Sequence, residues 1–347
     1  MNIQTLTTCL LDNRSIDEME TEMAGAADEI MSGAASEIQM AAFLTALRAR
    51  GETPRVLAAF ARALRRRSAP FSTPAGTVLD TCGTGGDHSG TFNISTTAAF
   101  VAAGAGVKVA KHGNRSITSK CGSSDVLANL GIDVECEASV MERALAEVGI
   151  CFLHAQFYHG SMRHVGPVRL GLGFRTMFNL LGPLANPAGA SHQLLGVFGR
   201  KEARLVAEVI ALLDTEGALV VHGSDGLDEI TLTGETFAYR VVGSRVEEML
   251  INPELLGFCL ARREELLGGD AAANAKTLVE ILSGTPGPKT DIVLLNAGAA
   301  IHVAGMADSL ESGIDLARDS IASGSALKCL EGLQRISREH CAQETQS

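Results

Sequence analysis

Four clusters in this sequence combine residue types and spacings that could do chemistry. They are Gly83-Thr-Gly-Gly-Asp87, Thr91 to Thr97, Lys111-His-Gly-Asn-Arg115 and Asp225-Gly-Leu-Asp-Glu229. Gly83, Gly85 and Gly86 let a backbone approach an anion and supply positive φ where a nest of N–H groups needs it. Asn93, Ser95, Thr96 and Thr97 add side-chain donors beside them. Lys111 and Arg115 bring positive charge, and adjacent Asp228 and Glu229 could hold one or two hard cations. Together these residues predict an anionic, multiply phosphorylated ligand.

Elements must bring these clusters together. Val78 to Thr81 reads as a short buried strand that breaks into the glycines, and Ala98 to Ala105 as the helix that follows. A helix entrance carries unpaired N–H groups and partial positive charge, which suits phosphate. A second strand, Gly106 to Ala110, delivers Lys111, His112, Asn114 and Arg115 at its end, where open α/β sheets bind ligands. Gly217 to His222 is a very apolar strand, and the loop after it carries Asp228 and Glu229. The glycine loop is neither G-x-G-x-x-G nor a Walker loop. A glycine turn alone is usually only a turn, a basic run a solvated surface, and an acidic loop a plain turn. Their succession after strands makes them informative.

The remaining pattern divides the chain. Residues 1 to about 70 are helical in pattern, with a capped start expected at Ser15 and Asp17, a helix from Ser36 to Arg50, and another opened by Thr53-Pro54. Arg65-Arg-Arg67 reads as a solvated helix end, and Pro70 to Gly76 as a linker. From Thr77, short β-rich runs alternate with helices: helices at Gly122–Leu130, Ala138–Val148 and Glu202–Leu213, and strands at Ile150–Leu153 and Gln193–Phe198. This is the rhythm of a mainly parallel sheet. After Asp270 the pattern is helical, and Arg338 to Ser347 reads as a frayed polar tail. His159 to Pro187 departs from the sheet rhythm, with short helices at Met162–Leu170 and Arg175–Leu181.

A net charge of −11 over 347 residues argues against nucleic acid or an anionic membrane as partner. No run is long enough to span a membrane, and the start lacks a signal-peptide layout. The eight cysteines show no CxxC or metal spacing and read as reduced thiols of a cytoplasmic protein. His159 and His164 straddle one segment without a third ligand and read as pocket or surface histidines.

The four clusters, in this order, resemble the signature set of the anthranilate phosphoribosyltransferases, and the likeness runs nearly the whole length, from Gln39–Arg48 to Gly268-Gly-Asp270 and Leu295-Asn-Ala297. The resemblance implies an α/β fold with a small helical domain, residues 1–72, onto which about 160–187 pack back. The large α/β domain, 73–347, has a mainly parallel central sheet. It implies transfer of the phosphoribosyl group of phosphoribosyl pyrophosphate (PRPP) to the amine of anthranilate, the second step from chorismate in tryptophan biosynthesis. Gly83, Gly85, Gly86, Asp87, Thr91, Asn93, Ser95, Thr96, Lys111 and Ser123 would contact PRPP. Anthranilate would meet Gly83, His112, Asn114, Met162, Arg169, Gly182 and Pro183. Two Mg²⁺ ions per subunit are implied, one on Ser95 and Glu229 and one on Asp228 and Glu229, together with a homodimer formed through the small domain.

The aromatic amine is already unprotonated at neutral pH, so His112 need not act as a base. Positioning and charge stabilisation would carry a dissociative displacement with inversion at C1′, with no certain catalytic residue. Gly160, Leu170-Gly171 and Cys121 depart from the family pattern, chiefly on the acceptor side. Two other readings remain at this stage. One is a pyrimidine nucleoside phosphorylase-like enzyme of the same fold, which would not need the Asp228-Glu229 pair; the other is a non-catalytic binding relative.

Overall fold

The computed structural model describes residues 2–115 and 121–344. Four helices open it: α1 (Asn2–Leu11), α2 (Glu20–Ser32), α3 (Glu37–Arg50) and α4 (Pro54–Arg66). Ser36 caps α3 in a reciprocal box. Its Oγ accepts the Gln39 N–H at 3.3 Å and its own N–H donates to Gln39 Oε1 at 2.9 Å. Thr53 and Pro54 open α4 as their types require. The cap expected at Ser15 and Asp17 does not form. Helix α2 begins at Glu20, and Asp17 instead accepts the Thr53 hydroxyl at 2.6 Å.

The α/β part runs β1 (Val78–Gly83), α5 (Ile94–Gly104), β2 (Lys108–Gly113), α6 (Ser123–Asn129), α7 (Ala138–Glu147) and β3 (Ile150–His154). The mid-chain piece follows, with α8 (Ala155–Tyr158), a 3₁₀ turn at Gly160–His164, α9 (Gly166–Leu172), α10 (Phe178–Leu181) and a second 3₁₀ turn at Pro183–Ala185. Then come β4 (His192–Gly196), α11 (Arg200–Ile210), β5 (Gly217–Gly223), β6 (Thr236–Val242) and β7 (Arg245–Ile251). Helices α12 (Ala271–Leu282), α13 (Pro288–Val303), α14 (Leu310–Ala322) and α15 (Ser325–Glu344) close the chain. The expected fray from Arg338 is not seen as far as Glu344, and the last three residues lie outside the described ones.

The sheet order is β3-β2-β1-β4-β5-β6-β7, parallel from β3 through β5 and antiparallel across β5-β6-β7. Alternate residues feed two cores, as a pleated strand requires: Leu219 and Val221 face one, Ala218 and Val220 the other. The first core packs β1, β2 and β3 against α5, α7 and α13 to α15. The second joins the opposite face to α11 and to the N-terminal helices, which thus share a core with the sheet.

The mid-chain piece belongs to that second core. Phe178 meets Phe60 edge-on at 6.4 Å, and Phe60 stacks on Phe43 at 5.9 Å. Val165, Met177, Leu181 and Leu184 are buried beside them. Each such side chain is worth about 1.5–3 kcal/mol of burial, enough to fix the piece on the helices. Arg65 corrects the reading of its run as wholly solvated: it is half-buried and its Nε donates to Leu184 O at 2.8 Å.

Two strand readings also change. Strand β2 extends through Gly113, so Lys111 and His112 lie inside it. The β6–β7 hairpin was absent from the expected elements; its edge strand β7 is exposed along nearly its whole length, with Arg245, Glu247 and Glu248 in it, and so shows no apolar alternation.

Candidate active site

The glycine loop leaves β1 at Gly83 and is tied down along its length. Thr84 N–H donates to Gly196 O at 2.9 Å and Gly85 N–H to Asp228 Oδ2 at 2.8 Å. Further along, Gly90 O accepts from Gly268 N–H at 2.9 Å, and Thr91 bridges Leu267. Gly85 and Gly86 have φ of 63° and 77°, the left-handed region that glycine tolerates. A Cβ at Gly83 would lie 2.6 Å from Asp228 Oδ2 and would displace that carboxylate from the Gly85 N–H.

Asn93 stands at the N-cap of α5 without capping it. Its Oδ1 instead accepts Asn274 Nδ2 at 3.0 Å. The opening turn of α5 therefore faces the carboxylates, and Ser95 N–H donates to Glu229 Oε1 at 3.0 Å. A carboxylate on a helix N-terminus is stabilised by the dipole. Thr96 is buried one residue on.

The acidic loop is built from both ends. Asp225 accepts Thr231 Oγ1 at 2.8 Å and Thr233 Oγ1 at 2.6 Å, so it is a loop brace. Asn296, buried on α13, accepts Ile230 N–H at 3.0 Å and donates to Ile230 O at 2.8 Å. These bonds aim half-buried Asp228 and Glu229 at the end of β1 and the start of α5. Burial and then Asp87 push the Asp228 carboxyl up to about 7. Burial and then Asp228 push Glu229 up to about 8, with Lys111 opposing. Asp87 Oδ2 is buried without a hydrogen-bond partner.

This crowding of hard oxygen donors fits a divalent cation such as Mg²⁺, which takes one or two carboxylates and otherwise water or phosphate. Among the described residues no three of His, Cys, Asp and Glu converge on one point; Asp228 and Glu229, with Ser95 beside Glu229, are the oxygen donors that could hold such an ion.

Lys111 and Arg115 separate in space. Lys111 is buried below the loop; its Nζ donates to Thr81 O, and to Ser95 Oγ at 3.3 Å. Burial lowers its pKa, and neighbouring Asp80 opposes that. Arg115 is exposed and paired with Glu135 at 2.8 Å. The expected two-cation cluster is thus one buried lysine and one surface ion pair. Ser123 opens α6 and donates to Asn114 O at 3.3 Å. Lys120 of the neighbouring motif lies outside the described residues.

Of the acceptor-side candidates, His112 meets the Gly182-Pro183 turn, whose successive carbonyls are each caught by a different element. His112 Nδ1 donates to Gly182 O at 3.2 Å, Gln193 Nε2 to Pro183 O at 2.9 Å, and Arg65 to Leu184 O. The carbonyl can only accept, so His112 carries its proton on Nδ1, leaving Nε2 buried and unpartnered. Burial, with His159 at 5.1 Å between ring centroids, lowers His112 to about 3. Burial lowers His159 to about 4. Both rings are therefore neutral at pH 7.

Arg169 on α9 is half-buried, 6.0 Å over the Phe178 ring. Its guanidinium has no hydrogen-bond or ion-pair partner among the described residues. Burial lowers its pKa. A desolvated, unpaired guanidinium suits a carboxylate ligand. Met162 packs at the edge of the second core, and Asn114 Oδ1 accepts its own neighbour's N–H at 2.8 Å.

Four residues of this site were not among the sequence candidates: Arg175, Gln193, Asn274 and Asn296. Arg175, which donates to Gly86 O, and Gln193 carry no local motif; Asn274 and Asn296 are buried polar residues inside apolar helices, and Asn296 also lies in the Leu295-Asn-Ala297 segment of the likeness.

Two family models match, described as the glycosyl transferase family a/b domain over residues 75–327 and the glycosyl transferase family helical bundle domain over residues 6–68. An anthranilate phosphoribosyltransferase of Rubrobacter xylanophilus is 53% identical over 320 residues, 92% of this chain and 93% of the relative. The crystal structure of the Thermus thermophilus anthranilate phosphoribosyltransferase aligns with a TM-score of 0.88 at 43% identity, covering 92% and 95% of the two chains. The Saccharomyces cerevisiae enzyme, in complex with PRPP and Mg, aligns with a TM-score of 0.87 at 29% identity, covering 97% and 98%. Glycine loop, paired carboxylates and fold thus coincide with a family likeness over nearly the whole length, and the chain belongs to the anthranilate phosphoribosyltransferase family.

Proposed function

We propose that this chain is a pentosyltransferase that moves the 5-phosphoribosyl group from PRPP to the amine of anthranilate, releasing diphosphate, in tryptophan biosynthesis. The observation that carries this reading is the meeting of Asp228 and Glu229 with the glycine loop and the start of α5. Such a site serves a substrate that is both phosphorylated and metal-bound.

Asp228, Glu229 and Ser95 would hold Mg²⁺, with two ions per subunit. Bound there, the ion neutralises charge on the departing diphosphate. The chain's own residues supply the rest. The N–H groups of Gly86 and Asp87, with Gly83 and Gly85 shaping the loop and Thr91, Asn93, Thr96 and Ser123 around it, orient the phosphates and ribose. Lys111 sets Ser95 and the floor of the loop from below. Arg169 takes the anthranilate carboxylate in its planar fork, while Asn114, Met162 and the Gly182-Pro183 wall shape the ring slot.

Neutral His112 contributes a wall and holds that turn; a group held near 3 is a poor base at pH 7. The amine attacks C1′ opposite the diphosphate, with inversion, and its proton leaves afterwards. The acceleration comes from positioning and charge stabilisation.

A homodimer through the helical layer is supported by exposed Leu11, Ile38 and Leu170, at 72%, 83% and 86%, on α1, α3 and α9, where α3 touches both of the others. A cytoplasmic setting is supported by the free thiols of Cys9, Cys82, Cys121, Cys136, Cys151, Cys259 and Cys329. No described helix is long and apolar enough to cross a membrane.

The test is anthranilate fluorescence against time with PRPP and Mg²⁺, and a chelator control. Mg²⁺-dependent loss of signal with stoichiometric diphosphate release is expected. Donor binding without anthranilate consumption would overturn the acceptor assignment.

A further inference from the structure

Arg175 lies between α9, which carries Arg169, and α10, which leads into the Gly182-Pro183 wall. It reaches out of this acceptor-side piece to the donor-side loop, where its Nη2 donates to Gly86 O. Its guanidinium carbon sits 4.0 Å from the Phe198 ring centroid. Among the described residues no carboxylate pairs with it.

Phe198 belongs to the same clamp, since its N–H donates to Thr84 Oγ1 at 3.2 Å. Gly86 has positive φ, and a Cβ there would meet Arg175 Nη2 at 3.4 Å. Arg175 is thus the described side chain that ties the acceptor-side piece directly to the glycine loop. The other ties on residues 84–86 run to Asp228, to Gly196 and to Phe198.

We propose that Arg175 is a positioning residue that locks the glycine loop to the acceptor wall, so that filling one side of the cleft orders the other; this rests on the phosphoribosyl-transfer reading. A donor that fixes Gly85 and Gly86 fixes the carbonyl to which Arg175 is bonded. Arg175 in turn fixes the segment six residues after Arg169. Anthranilate therefore binds more tightly when the donor is present, and the guanidinium carries that linkage. Lysine would keep one N–H···O bond but lose the planar stack on Phe198.

The experiment measures kcat, both KM values and the fall of anthranilate KM with donor concentration, for wild type, Arg175→Met, Arg175→Lys and Phe198→Leu. Losing one charge-assisted hydrogen bond predicts a donor KM about tenfold higher in Arg175→Met. The same variant should lose the dependence of anthranilate KM on donor, with kcat falling less than donor KM rises. Arg175→Lys should recover part of the donor effect, and Phe198→Leu should weaken the linkage. Donor KM within about twofold of wild type and an intact linkage would overturn the proposal. So would a lowered melting temperature with equal losses in every constant. If Arg175→Met does not fold, Arg175→Lys and Phe198→Leu decide by the same linkage. If wild type binds donor but consumes no anthranilate, the functional reading fails separately, and donor affinity measured by calorimetry still tests the lock.

Discussion

His112 should stay neutral far below neutral pH, and that can be measured as stability. In the fold its imidazole is held near 3 by burial and by His159, whereas the unfolded chain takes up the proton near the ordinary value of about 6.5. A depressed histidine contributes stability that is fully present above pH 6.5 and is lost as pH falls toward 3. At pH 5 the unfolded state has gained a proton that the native state refuses, worth about 2 kcal/mol. His159, lowered to about 4, acts in the same direction.

Asp228 and Glu229 act oppositely. Their raised values mean that the native state binds extra protons, and the stability they contribute is lost as pH rises toward 7 and 8. The raw pH curve mixes these effects, so the difference between wild type and His112→Gln isolates the histidine. Urea unfolding at pH 7.5 and pH 5.0 should show that difference moving by about 2 kcal/mol in favour of glutamine at the lower pH. A difference that stays constant, or imidazole nitrogen resonances that titrate near the ordinary value of about 6.5, would refute the argument. Either result would reopen His112 as a base for the attacking amine.

Asp228→Asn with Glu229→Gln should abolish turnover; full activity of that double variant at limiting Mg²⁺ would remove the metal assignment. Arg169→Ala should raise the anthranilate KM about tenfold or more with little change for PRPP, and equal changes in both would make Arg169 structural. Asn296→Ala removes both buried bonds that bracket Ile230 and should cost about 3 kcal/mol in urea unfolding, with a weaker response to Mg²⁺. Unchanged stability and an unchanged Mg²⁺ response would mean that the acidic loop holds its shape without Asn296.

Chemistry and fold were legible in this sequence to different depths. The glycine loop, the start of α5 and the carboxylate pair could be found because each is local: a turn needs glycine, a helix start needs donors, and strand ends collect ligands. The helix α3 could be bounded almost to the residue, since Ser36, Gln39 and Gly51 write its ends into neighbouring positions.

What depends on distant partners was hidden. Lys111 looked like an exposed cation beside Arg115, yet strand pairing extends through Gly113 and turns it beneath the loop, while Arg115 finds Glu135. Arg65 looked like the end of a solvated run, yet the mid-chain piece folds back and offers it Leu184 O. Arg175 carries no signal at all until β4 and the loop are placed around it. That the mid-chain piece packs on the N-terminal helices was expected from the resemblance alone, because nothing local to Phe178 points to Phe60.

The charges of the site are sorted, and the sorting bears on how the donor enters. On the donor side Asp87, Asp228 and Glu229 crowd together, and buried Lys111 opposes them from below. On the acceptor side Arg169 and Arg175 carry guanidiniums without carboxylate partners among the described residues. With no cation present, Asp228 and Glu229 keep protons up to about 7 and 8, and each that ionises repels a bare diphosphate in a chain of net charge −11. On the proposed function, a diphosphate carrying a dication would bring those carboxylates the charge they lack and leave the Gly86 and Asp87 N–H groups and the α5 dipole to phosphate oxygens. The donor is therefore expected to bind as its Mg²⁺ complex, so raising PRPP at vanishing Mg²⁺ should not restore turnover. Saturable, productive binding of metal-free PRPP would show that Lys111 and the helix start outweigh the carboxylates. In that case Asp228 and Glu229 would act after binding, on the leaving group alone.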